Sequence, residues 1–146
     1  AGDDKVLNGI SVTGSRNITR DVGRPLLMAK LSLWTNQGMT WLIGGAVGID
    51  SWAAEWLIES NETCWLVVPF LAMDQPKSVH TLIPLVSRVI ELQQPHSKRA
   101  YLVRNRYIVD RSSVVIAFWN GMPGGTVYTL NYAIKSHKET HVYPVV

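Results

Sequence analysis

The sequence has a single cysteine, no long apolar run and relatively little charge. Cys64 lies inside the apolar segment TCWLVVP and has no second cysteine with which to form an internal disulfide. No cysteine cluster exists that would bind zinc, so we interpret Cys64 as a small buried core residue. No stretch of about 18 apolar residues is present, which predicts no membrane span. The 47% of hydrophobic residues excludes a disordered chain.

The charge of the chain is small but unevenly distributed. The net charge of +3 does not by itself indicate a nucleic-acid partner. Five of the 14 basic residues nevertheless fall within residues 98–111, where only Asp110 opposes them. These five are Lys98, Arg99, Arg104, Arg106 and Arg111. The acidic, polar start AGDDKVLNG is unlike a secretory signal, so we expect a cytoplasmic location.

Predicted strands and helices alternate along the chain. Strands are predicted at 7–14, 39–45, 63–69, 88–92, 113–120 and 140–146, and helices at 18–36, 48–61, 76–87, 97–112 and 126–137. Because Pro25 fits best in a first turn, the first helix is expected to begin around Gly23. This alternation predicts an α/β fold, in which residues 1–146 form one Rossmann-like domain with an open, mostly parallel sheet and helices on both faces.

Three turns that leave strands and enter helices are rich in glycine or small polar residues. They are Gly14-Ser15-Arg16, the segment GGAVGID at 44–50 and the segment GMPGGT at 121–126. In a parallel sheet such turns share the edge at which ligands bind, and each helix N-terminus offers free N–H groups to an anion. Ser15 and Thr126 add hydroxyl groups, and Arg16 is suited to bidentate contact with phosphate. Taken singly, each turn is better explained as a tight turn or a helix cap.

Familiar phosphate-binding fingerprints are absent. The sequence contains no Gly-x-x-x-x-Gly-Lys-Ser/Thr, and no Gly-x-Gly-x-x-Gly follows the first strand. These absences disfavour a standard P-loop and an ordinary NAD site. The four histidines show no paired metal-ligand spacing, so we expect no metal site.

The basic segment offers a further element. Arg99 and Arg106 are seven residues apart and share a helix face, which is also typical of a solvated surface, whereas Arg104 and Asn105 point elsewhere. We expect Arg104-Asn105-Arg106 to lie near the glycine-rich turns. Several aromatic residues are candidates for stacking on a base, with packing as the alternative role. They are Trp52, Trp119, Tyr101 and Tyr107.

Taken in order, the motifs resemble the Rossmann-like core of the DNA-processing protein A (Smf) family. The matching pieces are VTGSRNITRDVG, IGGAVGIDSWAAEW, YLVRNRYIVDRSSVVIAF and GGTVYTLNYAIKSHKETHVYPV, which together span residues 10–146. This family lies within the SLOG superfamily, which includes the lysine decarboxylase-like phosphoribohydrolases called lonely guy.

The resemblance implies a nucleotide or single-stranded DNA as the ligand, together with a homodimer or higher homo-oligomer. It assigns phosphate or nucleotide binding to Gly14, Ser15, Arg16, Gly44, Gly45, Gly48, Asp50, Arg104, Asn105, Gly124, Gly125 and Thr126. Asp50 is alternatively a first-turn helix residue that interacts with the helix dipole. The further modules of full-length family members are missing from this sequence, so recombinase loading is not expected of it.

Catalysis is not expected. The phosphoribohydrolases carry a catalytic Glu after their Pro-Gly-Gly-x-Gly-Thr motif, whereas Tyr128 and Thr129 stand in that region here. We therefore predict a binding domain with no cofactor beyond a nucleotide ligand. The rival hypothesis is a small enzyme acting on a nucleoside monophosphate through Asp50, and a third is a nucleotide-sensing module that signals by dimerisation or partner binding.

Overall fold

The computed structural model describes residue 6 and residues 8–145, which form one six-stranded sheet. The strands are β1 (Gly9–Gly14), β2 (Thr40–Gly44), β3 (Thr63–Val68), β4 (Arg88–Glu91), β5 (Val114–Trp119) and β6 (Glu139–Pro144). Their order in the sheet is β4-β3-β2-β1-β5-β6, and every neighbouring pair is parallel. The predicted α/β, Rossmann-like class is confirmed, and the sheet is entirely rather than mostly parallel.

In the described part of the chain, five helices connect the strands. They are α1 (Arg20–Leu31), α2 (Ile49–Glu59), α3 (Lys77–His80), α4 (Lys98–Asp110) and α5 (Gly125–Lys135). Short 3₁₀ turns occur at Ser32–Trp34, Ala72–Asp74 and Ile83–Leu85. Along the chain, β1 to β4 are added one after another toward one edge of the sheet, and β5 and β6 are added toward the other edge. Since parallel crossovers are right-handed, the two directions place their helices on opposite faces of the sheet.

The core is divided by the sheet into two layers. On one face, α1 and α2 pack through Leu27, Leu31, Ala53 and Leu57 onto Ile10, Trp41, Cys64 and Phe118. On the other face, Ile108 of α4 packs with Leu42 and Val67, and Ala133 of α5 packs with Val115. The prediction that Cys64 is a core residue is confirmed, since only 1% of its surface is exposed.

The first helix differs from its prediction. It begins at Arg20 rather than around Gly23, and Pro25 lies inside it. A proline there removes one helical hydrogen bond, whose acceptor would be the carbonyl of Asp21. Both Asp21 and Pro25 are exposed, so water reaches the freed carbonyl. The predicted start near Gly23 is therefore wrong, because tertiary packing of Gly23 and Leu27 extends the helix toward its N-terminus.

The predicted helix at 76–87 is also wrong. It consists of the four-residue α3 and a separate 3₁₀ turn at Ile83–Leu85, since Pro84 cannot donate the next helical hydrogen bond. Two predicted strand ends, Leu7 and Val146, lie outside the described residues. Among those residues, no helix combines the length and the apolar character that crossing a membrane requires.

Candidate functional site

A cleft of about 340 Å³ opens at the carboxyl ends of β1 and β5. The chain builds the sheet outward from β1 on one side and from β5 on the other, so the two connections leaving these strands diverge. Crevices at this kind of switch point are where open α/β sheets bind ligands. The cleft is lined by Thr13, Gly14, Ser15, Arg16, Asn17, Ala46, Val47, Asp50, Tyr101, Leu102, Arg104, Asn105, Asn120, Met122, Pro123, Gly124, Gly125 and Thr126.

Most of the predicted site residues meet in this cleft. They come from three turns and from α4, and are Gly14, Ser15, Arg16, Asp50, Arg104, Asn105, Gly124, Gly125 and Thr126. The turns after β1 and β5 are joined directly: the Ser15 N–H donates to the Phe118 carbonyl at 2.9 Å, and the Ser15 hydroxyl accepts from the Asn120 N–H at 3.1 Å. The Ser15 O–H has no acceptor among the described residues, so its proton is available to a ligand.

Three predicted residues, Gly44, Gly45 and Gly48, do not line the cleft. Gly44 lies beneath its floor, where an added Cβ would meet Arg104 and Asp50. Gly45 packs against the side chain of Gln75. Gly48 is the N-cap of α2, with a positive φ of 89°. Gly44 and Gly45 leave space into which other side chains pack, whereas Gly48 provides the positive φ at the start of α2.

Arg104 supplies positive charge from below. Its side chain is only 4% exposed, and its Nε donates to Asn105 Oδ1 at 2.8 Å. Within the described residues, its buried Nη1 has no hydrogen-bond partner. Burial lowers the pKa of Arg104, and the nearby Asp50 carboxylate opposes that shift. A guanidinium stays charged at neutral pH in either case, so the floor of the cleft holds a buried cation with an unfilled donor.

Asp50 lies at the same floor, in the first turn of α2. Its carboxyl is partly open to the cleft, and protein surrounds its other sides. Burial raises the pKa of Asp50 from 3.8 to about 6, against the opposing effects of Arg104, the Ala46 N–H and Arg16. The Ala46 N–H donates to Asp50 Oδ2 at 3.3 Å. The charge of this carboxylate therefore depends on pH near neutrality.

The rim of the cleft combines an exposed cation with a helix N-terminus. Arg16 is exposed and has no hydrogen-bond or ion-pair partner among the described residues. Helix α5 begins at Gly125, and no side chain caps its N-terminus at Gly124. Thr126 follows in the first turn and is buried at the cleft wall. Uncapped N–H groups and the positive end of the helix dipole favour an anion at this position.

Tyr101 forms an aromatic wall of the cleft, and the sequence had left its role open between stacking and packing. Tyr101 lines the cleft with 40% of its surface exposed. Its ring meets the Phe70 ring edge-on, with 5.6 Å between the ring centres, and Phe70 stacks on the His96 ring with 4.0 Å between their centres. The sequence signal was its position three residues before Arg104, which places both on one face of α4. Asn17, Asn120 and Met122 also line the cleft without having been predicted.

The other aromatic candidates do not line the cleft. Trp52 packs in the core, where its ring lies against Gly23. Trp119 donates its Nε1 hydrogen to the Met122 carbonyl at 2.7 Å. The ring of Tyr107 lies 3.5 Å from the guanidinium of Arg111. Arg106, expected near the glycine-rich turns, lies outside the cleft on another face of α4. The positions of Trp52, Tyr107 and Arg106 follow from helix rotation, since neighbouring helical residues point about 100° apart.

The family model described as DNA recombination-mediator protein A matches residues 1–146. A comparison with curated protein sequences gives no match.

Three proteins are among those whose solved structures share the fold. DNA processing protein A from Streptococcus pneumoniae superposes with a TM-score of 0.81 at 19% identity, covering 94% of this chain and 50% of that one. DNA processing protein A from Helicobacter pylori, in a structure describing its single-stranded DNA binding mode, superposes with a TM-score of 0.75 at 22% identity. The match covers 95% of this chain and 66% of that one. A molybdenum cofactor binding protein from Rippkaea orientalis superposes with a TM-score of 0.67 at 20% identity, and the match covers 92% of this chain and 75% of that one. The chain thus spans only half the length of the Streptococcus pneumoniae protein.

Proposed function

Because the chain belongs to the DNA recombination-mediator protein A family, we propose that its cleft binds single-stranded DNA through the phosphate backbone. The observation that carries this proposal is the buried guanidinium of Arg104, whose Nη1 has no hydrogen-bond partner among the described residues. A buried donor left without a partner costs about 1–3 kcal/mol, and a bound phosphate oxygen would relieve that cost.

The rest of the cleft supports the same ligand. Exposed Arg16 provides a second cation, and the uncapped N-terminus of α5 provides backbone N–H donors. Tyr101 offers a half-exposed ring at the wall, on which a base of any sequence can stack. A cleft built in this way recognises phosphate and an aromatic base without reading base edges. The Helicobacter pylori neighbour, whose structure concerns single-stranded DNA binding, is consistent with this ligand.

Fluorescence anisotropy with a labelled thymidine oligonucleotide tests the proposal. Wild-type affinity is expected to fall steeply with salt, with a slope of about −0.7 for each phosphate contact to a single strand. Arg16→Ala is expected to weaken binding and to reduce that slope by about one such contact. Lys77→Ala is the matched control: it removes one exposed cation from α3, which packs through Val79 onto the sheet face opposite α4.

Two results would contradict the proposal. Unchanged binding by Arg16→Ala would remove Arg16 from the site. Equal affinity for the oligonucleotide and a free mononucleotide, with little salt dependence, would instead identify a mononucleotide pocket. Mass spectrometry of small molecules released by heating the purified protein would then identify the mononucleotide.

A second candidate function rests on Asp50. A carboxyl with a pKa of about 6 beside a phosphate site is suited to general acid–base chemistry at neutral pH. The corresponding activity is hydrolysis of a nucleoside monophosphate to free base and ribose phosphate. Chromatography of wild-type and Asp50→Asn reactions tests it: release of base by wild type alone would support an enzyme, and no release by either would exclude this activity.

A further inference from the structure

A second depression lies between α4 and α5, on the outer face of these helices. This α4–α5 groove has a volume of about 210 Å³ and is lined by Arg99, Leu102, Val103, Arg106 and Tyr128. The four α4 residues are spaced by three, one and three positions, which places them along one side of the helix. Tyr101, Arg104 and Asn105 occupy the adjoining side and line the cleft instead.

The groove and the cleft adjoin at one residue. Leu102 lines both depressions, so a ligand that leaves the cleft across α4 enters the groove at Leu102. Arg99 and Arg106 flank this point, about 10 Å apart along the helix axis. The two cations thus follow the direction of α4 rather than converging on one spot.

Neither cation of the groove forms an ion pair with a carboxylate of the described residues. Arg106 Nε donates to Tyr128 Oη at 2.6 Å, and the guanidinium lies 5.0 Å from the centre of the Tyr132 ring. Its two terminal nitrogens, and the whole guanidinium of Arg99, have no hydrogen-bond or ion-pair partner among the described residues. The neighbouring carboxylate of Asp110 is already engaged, because the Tyr132 hydroxyl donates to it at 2.6 Å.

We propose that the α4–α5 groove binds the continuation of the single strand held in the cleft. Arg99 and Arg106 contact phosphates of the nucleotides that pass over Leu102. Tyr128 is a positioning residue: it accepts from Nε of Arg106 and leaves the two terminal nitrogens to face the strand. This inference rests on the proposed function of the cleft, and it predicts that a long strand makes contacts that a short one cannot.

Binding of two probe lengths tests the inference. The probes are thymidine oligonucleotides of about 4 and about 16 nucleotides, which bracket common single-strand site sizes. Replacing Arg99 and Arg106 together by Ala is expected to lower affinity for the long probe by about tenfold and to reduce its salt slope by about 0.7 per arginine. Affinity for the short probe stays unchanged. Tyr128→Phe, which removes only the hydroxyl, gives a smaller loss on the long probe alone.

The controls separate this inference from the proposed function. Arg16→Ala weakens the binding of both probes, and Lys77→Ala weakens the binding of neither. The inference is overturned if the double arginine variant binds both probes as wild type does, or if its affinity for the two probes falls equally. Either result leaves the cleft proposal standing. A wild-type protein that binds neither probe overturns both.

Crosslinking of the wild-type protein gives a readout that does not depend on any variant. Long and short probes carrying a photoreactive 5-iodouracil at one end are irradiated with the protein, and the attached peptide is identified by mass spectrometry. Attachment of the long probe to Arg99, Arg106 or Tyr128, absent with the short probe, supports the path. Attachment of the long probe only on the opposite face of the sheet contradicts it.

Discussion

The Asp50 carboxylate and the Arg104 guanidinium both reach the space above Gly44. A Cβ built on Gly44 would stand 2.8 Å from Arg104 Nη1 and 2.9 Å from Asp50 Oδ2. The two groups nevertheless make no direct ion pair within 4 Å. Because Gly44 has no side chain, the Arg104 guanidinium and the Asp50 carboxylate can lie near each other at the floor of the cleft. The Nη1 of Arg104 has no partner among the described residues and can donate to a ligand.

Gly44→Ala is expected to damage both stability and binding. The added methyl group forces Arg104 or Asp50 to move within a packed floor, which typically costs about 1–3 kcal/mol. Urea denaturation measures the loss, and anisotropy with the oligonucleotide measures the accompanying loss of affinity. Gly125→Ala is the matched control for stability, because a Cβ there meets nothing within 4 Å. Equal unfolding free energies for the two variants would contradict this account.

Parallel topology made much of the site predictable. Once the alternation of strands and helices indicated a parallel sheet, Gly14, Ser15 and Gly125 had to lie at one edge, because all strands point the same way. The basic segment that leads into a buried strand, and then the family resemblance, added Arg104 and Asn105. The roles that these residues play toward a ligand remain predictions.

The failures have a common physical origin. Gly44 and Gly45 belong to a turn at the correct edge, yet side chains from distant segments, Arg104 and Gln75, cover them. Both stacking and packing were open roles for Trp52 from the sequence, and its ring packs in the core against Gly23. Pro25 sits inside a helix because tertiary packing outweighs the local cost of the proline. Each depends on contacts across the chain that local pattern does not contain.

The stability of the protein is expected to depend on the ionisation of Asp50. Its pKa is about 6 in the folded protein and near 3.8 when unperturbed, so between these values the folded state binds the proton more tightly than the unfolded chain. This contribution to stability therefore falls as pH rises through that window, and the loss is complete above about pH 6. Its size is about 2 kcal/mol, allowing for partial screening of the carboxyl by solvent.

Asp50→Asn isolates this effect, because the amide keeps the shape and cannot ionise. The free energy of unfolding of Asp50→Asn, minus that of wild type, is expected to increase between pH 4 and pH 7 by about 2 kcal/mol. Denaturation series at several pH values measure it. Asp74→Asn, which removes a carboxylate from the exposed surface, controls for the general change in charge. A difference that stays constant with pH would show that Asp50 is not desolvated in the fold.

Ser15→Ala is expected to loosen the junction between the turns after β1 and β5. The variant leaves the Asn120 N–H without the acceptor it has at 3.1 Å, which costs about 1 kcal/mol at a half-buried position. Oligonucleotide affinity should fall as well, since both turns line the cleft. Ser51→Ala is the control: its hydroxyl donates to the Gly48 carbonyl, which also accepts from the Trp52 N–H and so keeps a partner. Equal losses in the two variants would argue against the junction.

Tyr101 separates base stacking from phosphate binding in the cleft. Its ring is 40% exposed and is held edge-on by Phe70, so Tyr101→Ala should alter the fold little. Loss of a stacking platform costs about 1–3 kcal/mol per base, which predicts a marked fall in oligonucleotide affinity with an unchanged salt slope. Tyr101→Phe keeps the ring and should bind nearly as wild type does. If the Phe variant lost as much affinity as the Ala variant, the hydroxyl rather than the ring would contact the strand. If instead the salt slope fell in parallel with affinity, Tyr101 would act by placing the guanidinium of Arg104, which lies 5.8 Å from its ring centre.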